Sequence, residues 1–244
     1  MKVEVNRNDE MRIGVTSDLH GVLPAVEECD IFLICGDIMP LNIQLNMPKS
    51  RLWLQNTFIP WANGLPCKHV VFIAGNHDFW FERNGGLEPD MYNMFHKPTD
   101  GKLVYLHNKS WEYEHEIEPG VFKKFKIFGT PYCKQFGNWA FMREPERLEA
   151  KYAHMPSDCD ILISHDAPRL LGLGEIHEGA WAGEDAGNTW LADEIMRKQP
   201  KHCFCGHIHS GCHGIQEFNG MKFSNVSLVN EDYVVSYKPL YLNV

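Results

Sequence analysis

Five short polar clusters contain the residues best suited to chemistry, and each cluster directly follows an apolar run. In chain order they are Asp18-x-His20, Gly36-Asp37, Gly75-Asn76-His77-Asp78, His165 and Gly206-His207-x-His209. Carboxylate, amide and imidazole donors of this kind suit divalent ions such as Mn, Fe, Zn or Ni. A carboxylate such as Asp37 can bridge two ions, and two ions roughly 3.5–4 Å apart can clamp a phosphoryl group and generate a hydroxide between them. The clusters therefore predict a site for two divalent metal ions.

Strands are the elements that must position these clusters. The apolar runs are short and continuous, as in strands buried on both faces of a helix-covered sheet; they are Met11–Thr16, Ile31–Cys35, Val70–Ala74, Ile127–Gly129, Ile161–Ser164 and His202–Cys205. Loops at the carboxyl ends of strands in an open α/β sheet gather at one edge, so we expect the clusters to converge. Because alternate side chains of an extended chain point the same way, Asp18 and His20 are expected to serve one site, as are His207 and His209.

The remaining pattern predicts helices and hairpins around this sheet. The helices cover Lys49–Trp61, Pro89–His96, Glu144–Ala153 and Thr189–Arg197, the last with Asn188 as its N-cap. Asn219-Gly220 predicts a turn between strands Gly214–Phe218 and Met221–Ser224, and two further strands are joined near Glu118-Pro119-Gly120. Val234–Tyr237 and Leu240–Val244 read as strands as well. No linker interrupts this pattern, which predicts a single domain over residues 1–244.

Composition narrows the classes of function. The chain has 244 residues with 32 acidic and 23 basic side chains, a formal charge of −9. An acidic chain is a poor binder of nucleic-acid phosphates, so a nucleic-acid partner is not favoured. The sequence contains no run of 18 apolar residues, so no membrane-spanning helix is predicted. The polar start Met1–Glu10 lacks the apolar core of a signal peptide. We therefore expect a cytoplasmic protein whose eight cysteines are reduced thiols, mostly buried.

The ordered clusters resemble the calcineurin-like metallophosphoesterases, whose pattern reads D-x-H, GD, GNH[DE], H and GHxH. All five motifs are present between Ser17 and His209. Shorter stretches, Gly129–Tyr132, Trp139–Phe141 and Gly206–Gly211, are similar to the branch that includes the mammalian metallophosphoesterase-domain proteins. The resemblance implies an α/β fold, a four-layer α/β/β/α sandwich of two facing mixed sheets with helices outside and a dimetal site at one sheet edge.

The resemblance also implies a role for each motif residue. One ion would be bound by Asp18, His20 and His209, the other by Asn76, His165 and His207, with Asp37 bridging them. His77 would bind phosphate and serve as a general acid, and Asp78 would orient or charge-tune His77. Two alternatives stay open: His77 as a structural partner of Asp78, and Asp166 either as a carboxylate supporting the site or, as we favour, in a capping or loop role.

The function implied is a metal-dependent phosphoester hydrolase in which a metal-bridging hydroxide attacks phosphorus. A small phosphodiester such as a cyclic nucleotide is the favoured substrate; a phosphomonoester or pyrophosphate, a nuclease substrate, and a non-catalytic scaffold on the same fold are the alternatives. Ile38-Met39-Pro40 follows Asp37 without the Arg of Ser/Thr phosphatases, and the presence of His77 argues against a scaffold. No membrane partner is expected, and the oligomeric state stays open.

Some residues near the motifs have both a structural and a functional interpretation. A zinc site could be formed by His202, Cys203, Cys205, His207 and Cys212, but core packing is favoured because regular Cys/His pairs are missing. Packing is also favoured over ring stacking for the aromatic residues Phe79, Trp80, Phe81, Tyr132, Trp139 and Trp181. His177 and His213 could contact substrate. The acidic run Glu112–Glu118 is expected to be a solvated strand face.

Overall fold

Two stacked β-sheets form the centre of the computed structural model, which describes residues 10–84 and 91–244. The first sheet has the order β13-β1-β2-β3-β4 and contains β1 (Arg12–Thr16), β2 (Cys29–Ile34), β3 (Cys67–Phe72), β4 (Leu103–Tyr105) and β13 (Leu240–Asn243). Strands β1 to β4 are parallel, and β13 runs antiparallel to β1. The sheet is therefore mixed, as predicted.

The second sheet has the order β11-β12-β10-β9-β6-β5. It contains β5 (Lys109–Glu118), β6 (Val121–Thr130), β9 (Ile161–Ser164), β10 (His202–Cys205), β11 (Gln216–Phe218) and β12 (Met221–Asn225). Its four inner strands are parallel, whereas β5 and β11 at its edges are antiparallel to their neighbours. Two short strands, β7 (Cys133–Lys134) and β8 (Met142–Arg143), pair separately.

The helices cover the outer faces of the sheets. They are α1 (Met47–Trp53), α2 (Ile59–Gly64), α3 (Phe79–Asn84), α4 (Pro145–Tyr152) and α5 (Thr189–Lys198). Alternation along β2 explains the layers: Ile31 and Leu33 pack between the sheets, while Phe32 faces the helix layer with Phe58. The predicted four-layer α/β/β/α sandwich is confirmed.

The predicted helix Lys49–Trp61 is interrupted. A π-helical turn, Leu54–Phe58, separates α1 from α2, and the N–H of Ile59 bonds to the carbonyl of Leu54. Pro60 has no N–H to donate, so the regular ladder cannot continue through this point. Tyr92–His96 is also a π-helical turn, while Pro89 of the predicted helix there lies outside the described residues.

The predicted strand Val234–Tyr237 is wrong. Only an isolated bridge between Val229 and Val235 is found there, because the side chain of Asn230 accepts hydrogen bonds from the N–H groups of Asp232 and Val234 and so holds a tight turn. The other predicted strands are present, and the glutamates of the acidic run on β5 are solvent-exposed, as expected.

The structure bears on two expectations from composition, that the cysteines are reduced and that no helix spans a membrane. All eight cysteines are free thiols, and Cys203 and Cys205 pack in the core with no role in the groups that could hold a metal ion in the described residues. Over the same residues, no helix combines the length and apolar character needed to cross a bilayer. The polar start, on which the expectation of no signal peptide rests, lies outside the described residues except for Glu10.

Asp166 has the loop-fastening role favoured from the sequence. Its buried carboxylate accepts hydrogen bonds from the N–H of Lys134 at 2.9 Å and from the side-chain amide of Asn188 at 2.7 Å. The oxygen of the same Asn188 amide accepts from the N–H of Leu191 and caps α5, as predicted. The bond between Asp166 and Asn188 therefore joins the loop after β9 to the start of α5.

We expect Asn188→Ala to lower the free energy of unfolding by about 2–4 kcal/mol, because it removes a helix cap and also removes one of the hydrogen-bond donors to the buried carboxylate of Asp166. Asn46 is the matched control, since it caps α1 from an exposed position, where its side-chain oxygen accepts from the N–H of Lys49. Asn46→Ala should cost about 1 kcal/mol. Denaturant unfolding measures both, and equal losses would contradict this role of Asn188.

Candidate metal centre

The five polar clusters meet at one end of the two sheets. They follow β1, β2 and β3 of the first sheet and β9 and β10 of the second, always at the carboxyl end of the strand. The predicted ligands are mostly buried: Asp18 and His165 are 0% exposed and Asp37 is 1% exposed. Both sheets are therefore needed to assemble the site.

The backbone of the clusters is unusual. Four of the seven predicted ligands have a positive φ, namely Asp18 at 53°, His20 at 44°, Asp37 at 51° and His207 at 69°. L-residues seldom adopt this left-handed conformation, and it persists only where the surroundings enforce it. Here the N–H of Asp18 bonds to the carbonyl of Gly36 at 3.0 Å, and that of His20 to the carbonyl of Asp37 at 2.8 Å. The side chains converge because of these turns, so the expectation from strand alternation is corrected.

Two motif glycines are required by close approach. A Cβ on Gly75 would overlap the carboxylate of Asp37, and a Cβ on Gly206 would overlap the carboxylate of Asp18. Any larger residue would push these carboxylates out of the site. The glycines of the GNH and GHxH motifs therefore make room for the acidic ligands.

Asp18, His20 and His209 form the first group of donors. Their ligand atoms lie within 4.8 Å of one another; the Nε2 of His209 is 3.5 Å from the Oδ1 of Asp18 and 3.4 Å from the Nε2 of His20. The Nδ1 of His209 bonds to the carbonyl of Asn230 at 2.9 Å, which directs Nε2 into the site. Two imidazole nitrogens face each other at this distance only with a proton or a cation between them, so the donor set fits a metal ion.

The second group of donors surrounds His165. Its Nε2 lies 2.7 Å from the Oδ1 of Asn76 and 3.5 Å from the Oδ2 of Asp37, while its Nδ1 bonds to the carbonyl of Cys35 at 3.0 Å. The ring of His207 packs 5.0 Å from the ring of His165, centre to centre. This is the set predicted for the second ion.

Asp37 lies between the two groups. Its Oδ2 is 3.9 Å from the Nε2 of His20 and 3.5 Å from the Nε2 of His165, while its Oδ1 accepts the N–H of His77 at 2.7 Å. Asp18, Asp37 and His165 also form a compact group of ligand atoms. The structure thus brings all the predicted ligands together with Asp37 in the middle.

The electrostatics of the site favour a bound cation. Burial opposes the charged form of Asp18, but hydrogen bonding and charge from His209 hold its pKa well below the usual range. Burial and the neighbouring Asp18 charge raise the pKa of Asp37 well above the usual range. For His209, burial is outweighed by Asp18, which raises its pKa to about 9. A proton on His209 therefore occupies, without metal, the place that a cation would take.

The contacts of His77 and Asp78 differ from the prediction that Asp78 orients or charge-tunes His77. The Nδ1 of His77 bonds to the Oε1 of Gln44 at 2.7 Å, and its Nε2 lies 4.0 Å from the Oδ2 of Asp37. The carboxylate of Asp78 instead accepts the N–H groups of Ile38, Met39 and Gly75 at 3.2, 2.9 and 2.8 Å. Asp78 therefore fastens two ligand loops together, and the ring of His77 is oriented by Gln44. Burial raises the pKa of Asp78 to about 7.

Three aromatic side chains, Phe136, Trp139 and Tyr233, form a rim around the site; we call them the aromatic rim. The ring of Trp139 lies 4.6 Å from that of His77, the ring of Tyr233 lies 4.9 Å from that of His20, and the ring of Phe136 lies 5.6 Å from that of His207. All three are at least 36% exposed. They are available to a ligand above the buried donors.

The other aromatic and histidine candidates divide between core and surface. Trp80, Phe81 and Tyr132 are buried in the core, as expected for packing residues, whereas Trp181 is exposed. The ring of His213 stacks on Tyr237 with 3.6 Å between ring centres. A contact of His177 or His213 with substrate stays a prediction.

Sequence reasoning missed several residues that shape the site. They are Gln44 beside His77, Tyr233 of the rim, Asn230 behind His209, and Ser227, whose hydroxyl donates to the Oδ2 of Asp18 at 2.6 Å. Each lies in a loop outside the five motifs. The residue pattern carries no signal for them, because their places depend on loop conformation.

Metal binding should release protons. At about pH 7.5 His209 is protonated, and a divalent ion must displace that proton, so apparent affinity should fall up to tenfold per pH unit below about pH 9. Calorimetric titration of Mn²⁺ in two buffers of different ionisation enthalpy measures the protons released, and we expect at least one, from His209, with a further contribution from Asp37, whose pKa is also raised. His209→Gln should lower the release by about one proton. Binding by the unaltered chain with no proton release would contradict this geometry.

Comparison with known proteins agrees with the site. A family model described as calcineurin-like phosphoesterase matches residues 11–211. The chain is 30% identical over 207 residues to a probable rhamnogalacturonate lyase C of Emericella nidulans, an alignment covering 82% of this chain and 17% of that protein. It is 24% identical over 224 residues to metallophosphoesterase domain-containing protein 1 of Homo sapiens, covering 88% of this chain and 64% of that protein. The chain thus spans less than two thirds of both relatives.

A solved structure shows the same fold. The phosphopantetheinyl hydrolase PptH of Mycobacterium tuberculosis aligns with a TM-score of 0.54 and 14% identity, covering 93% of this chain and 92% of that chain. At this identity the likeness concerns the fold alone. The family match, in contrast, spans most of the chain and contains all seven predicted ligands. The chain belongs to the calcineurin-like phosphoesterases, a family of metal-dependent phosphoester hydrolases.

Proposed function

We propose that this chain is a phosphodiesterase that hydrolyses a small phosphodiester of cyclic-nucleotide size, with two divalent ions in its buried centre. The observation that carries the proposal is the charge around the donors. The charged groups that shift the pKa values of His20, Asp37 and His77 are all histidines and aspartates in the described residues. Neither lysine nor arginine is among them.

This charge pattern favours a diester over a monoester. A phosphomonoester carries about −1.5 to −2 charges at neutral pH, whereas a diester carries a single charge. Sites for the more highly charged group commonly add arginine or lysine to pair with its oxygens. Here bound divalent ions would be the positive partners within reach, because burial lowers the pKa of His77 to about 4 and keeps its ring neutral; this matches a monoanionic substrate.

The aromatic rim supports a leaving group that contains a flat ring. Aromatic side chains stack on nucleobases with little dependence on the base, at about 1–3 kcal/mol per base. Trp139 and Tyr233 present such faces beside His77 and His20. The net charge of −9 opposes a long polyanion, so a small cyclic nucleotide fits better than a nucleic-acid strand.

The residues divide the work of hydrolysis. When bound, divalent ions supply Lewis-acid stabilisation of phosphoryl charge and make a bound water acidic. Asp37 lies between the two donor groups and can serve both, since its Oδ2 is within 4.0 Å of His20, His77 and His165. Gln44 accepts from the Nδ1 of His77, which leaves Nε2 facing the site. Burial lowers the pKa of His77 to about 4, so Nε2 carries a proton to donate only when the negative charge of a bound phosphoryl group favours the doubly protonated ring. That proton is available to the departing alkoxide.

The preference for a diester can be measured with chromogenic substrates. With Mn²⁺ present, we expect kcat/KM for bis-p-nitrophenyl phosphate to exceed that for p-nitrophenyl phosphate by about tenfold or more, because among the described residues no lysine or arginine contributes charge at His20, Asp37 or His77 to pair with the second charge. Cyclic nucleotides should be cleaved, and Asp37→Asn should lose turnover on every ester. A faster rate on the monoester would overturn the diester assignment, and undiminished turnover by Asp37→Asn would overturn the metal site.

His77→Ala separates proton donation from metal binding. We expect it to retain bound metal and to lose roughly 10²–10⁴-fold in kcat on a cyclic nucleotide, the usual value of a general acid. The loss should be smaller on a nitrophenyl ester, because nitrophenolate leaves without a proton. Equal losses on both esters would show that His77 positions phosphate instead, and lost metal would show that it is a ligand.

Two variants serve as controls for His77→Ala. His154→Ala removes an exposed histidine that bonds to Asn108 outside the metal centre, and it should keep full activity. Asp78→Asn should lower metal affinity and thermal stability together, because the amide cannot accept from all three N–H groups that now bond to the carboxylate. Its loss of rate should not depend on the leaving group.

A further inference from the structure

Two of the cysteines, Cys29 and Cys67, lie side by side on neighbouring strands. They begin β2 and β3, which are parallel, and their Cα atoms are direct partners in the ladder. Neighbouring strands lie about 4.7–4.9 Å apart, a spacing within the range of roughly 4.4–6.8 Å between Cα atoms that a disulfide spans. Both side chains pack on the helix-covered face of the sheet. Their separation therefore permits a covalent bond between the two sulfurs.

The two thiols are chemically unequal. The interaction between the two side chains raises the pKa of Cys29 and lowers the pKa of Cys67. Lys102 also lowers the pKa of Cys67, and its ammonium group is fixed by the carbonyls of Asn63 at 2.8 Å and Leu65 at 2.6 Å. Cys67 is therefore the better nucleophile, and Cys29 is placed to react with it afterwards.

Partial exposure to solvent distinguishes Cys67 from the buried cysteines, Cys29 among them. A surface cavity of about 440 Å³ is lined by the residues Cys29 and Cys67 together with Arg12, Asp30 and Lys68. Burial instead raises the pKa of the other thiols inside the core, namely Cys35, Cys133, Cys159, Cys203 and Cys205. Cys212 is half-buried and accepts from the side chain of Gln216. A small oxidant can thus reach Cys67 with a second thiol already beside it.

We propose that Cys29 and Cys67 form a reversible redox-modification site that hydrogen peroxide converts to a disulfide. The Cys67 thiolate attacks one peroxide oxygen, the O–O bond breaks, and hydroxide leaves, giving a sulfenic acid. The Cys29 sulfur then attacks the Cys67 sulfur, and the sulfenic oxygen leaves as water with the thiol proton. In total, two thiols and one peroxide give one disulfide and two waters, and a dithiol reductant reverses the change.

The bond would constrain a segment that serves the metal centre. Residues 29 to 67 include Asp37 and Gln44 as well as α1 and α2. Cross-linking the ends of this segment restricts the unfolded chain and so stabilises the folded one. The thiols lie at the amino ends of their strands, opposite the carboxyl ends where the ligands gather. We therefore expect oxidation to raise thermal stability and to leave metal binding unchanged.

The experiment treats the reduced full chain with a slight excess of hydrogen peroxide, with zinc as its divalent ion because zinc has no redox chemistry. Peptide mapping should identify one Cys29–Cys67 link and a mass loss of about 2 Da for the two hydrogens removed. The unfolding midpoint should rise by several degrees, and dithiothreitol should reverse both changes. A map that lacks this link while other cysteines are oxidised would overturn the proposal.

Single variants test the order of events. Cys29→Ser should stop at a sulfenic acid on Cys67 that dimedone traps, whereas Cys67→Ser should leave Cys29 unreacted. Cys212→Ser is the matched control and should oxidise like the unaltered chain. Oxidation of Cys29 in Cys67→Ser would overturn the assignment of Cys67 as the attacking thiol. If a variant does not fold, the rates of iodoacetamide labelling in the unaltered chain decide: Cys67 must react first, and faster labelling of Cys212 would overturn the proposal.

Discussion

The burial of two carboxylates side by side is the constraint on which the rest of the structure depends. Asp18 and Asp37 are 0% and 1% exposed, and removing an unpaired charge from water costs several kcal/mol. Histidines keep Asp18 charged, while burial and the charge of Asp18 push the pKa of Asp37 upward. Both can ionise together only with positive charge between them. The left-handed turns, the motif glycines and the backbone donors all hold these carboxylates where a cation can bind.

The two sheets are joined next to Asp18, one of the two buried carboxylates. The chain that leaves β12 pairs with the end of β1: Ser17 donates to the carbonyl of Val226 at 2.8 Å and accepts from Leu228 at 2.9 Å. Ser227, between them, donates to Asp18. Apolar side chains of both sheets pack together beneath this junction. Packing between the sheets therefore fixes the distance between the candidate ligands that follow the first sheet and those that follow the second. The candidate metal centre is held in place by the packed core.

Most of the fold, and the meeting of the predicted ligands at one place, could be predicted because both follow from strand ends. Continuous apolar runs mark the strands, and the polar residues after them must meet at one edge. The contacts that refine the site could not be predicted, because they depend on loop dihedrals that residue patterns do not encode. Gln44 replaces Asp78 as the partner of His77, and the side chain of Asn230 replaces the predicted strand Val234–Tyr237 with a turn.

The central claim is that Asp37 joins two donor groups into one centre for divalent ions. Electron paramagnetic resonance during a Mn²⁺ titration of the metal-free chain tests it most directly. We expect the spectrum to become that of an exchange-coupled pair as about two equivalents bind, since a shared carboxylate would bring the ions roughly 3.5–4 Å apart. In Asp37→Asn the coupling should be lost. A spectrum of isolated ions at every ratio in the unaltered chain would contradict the account.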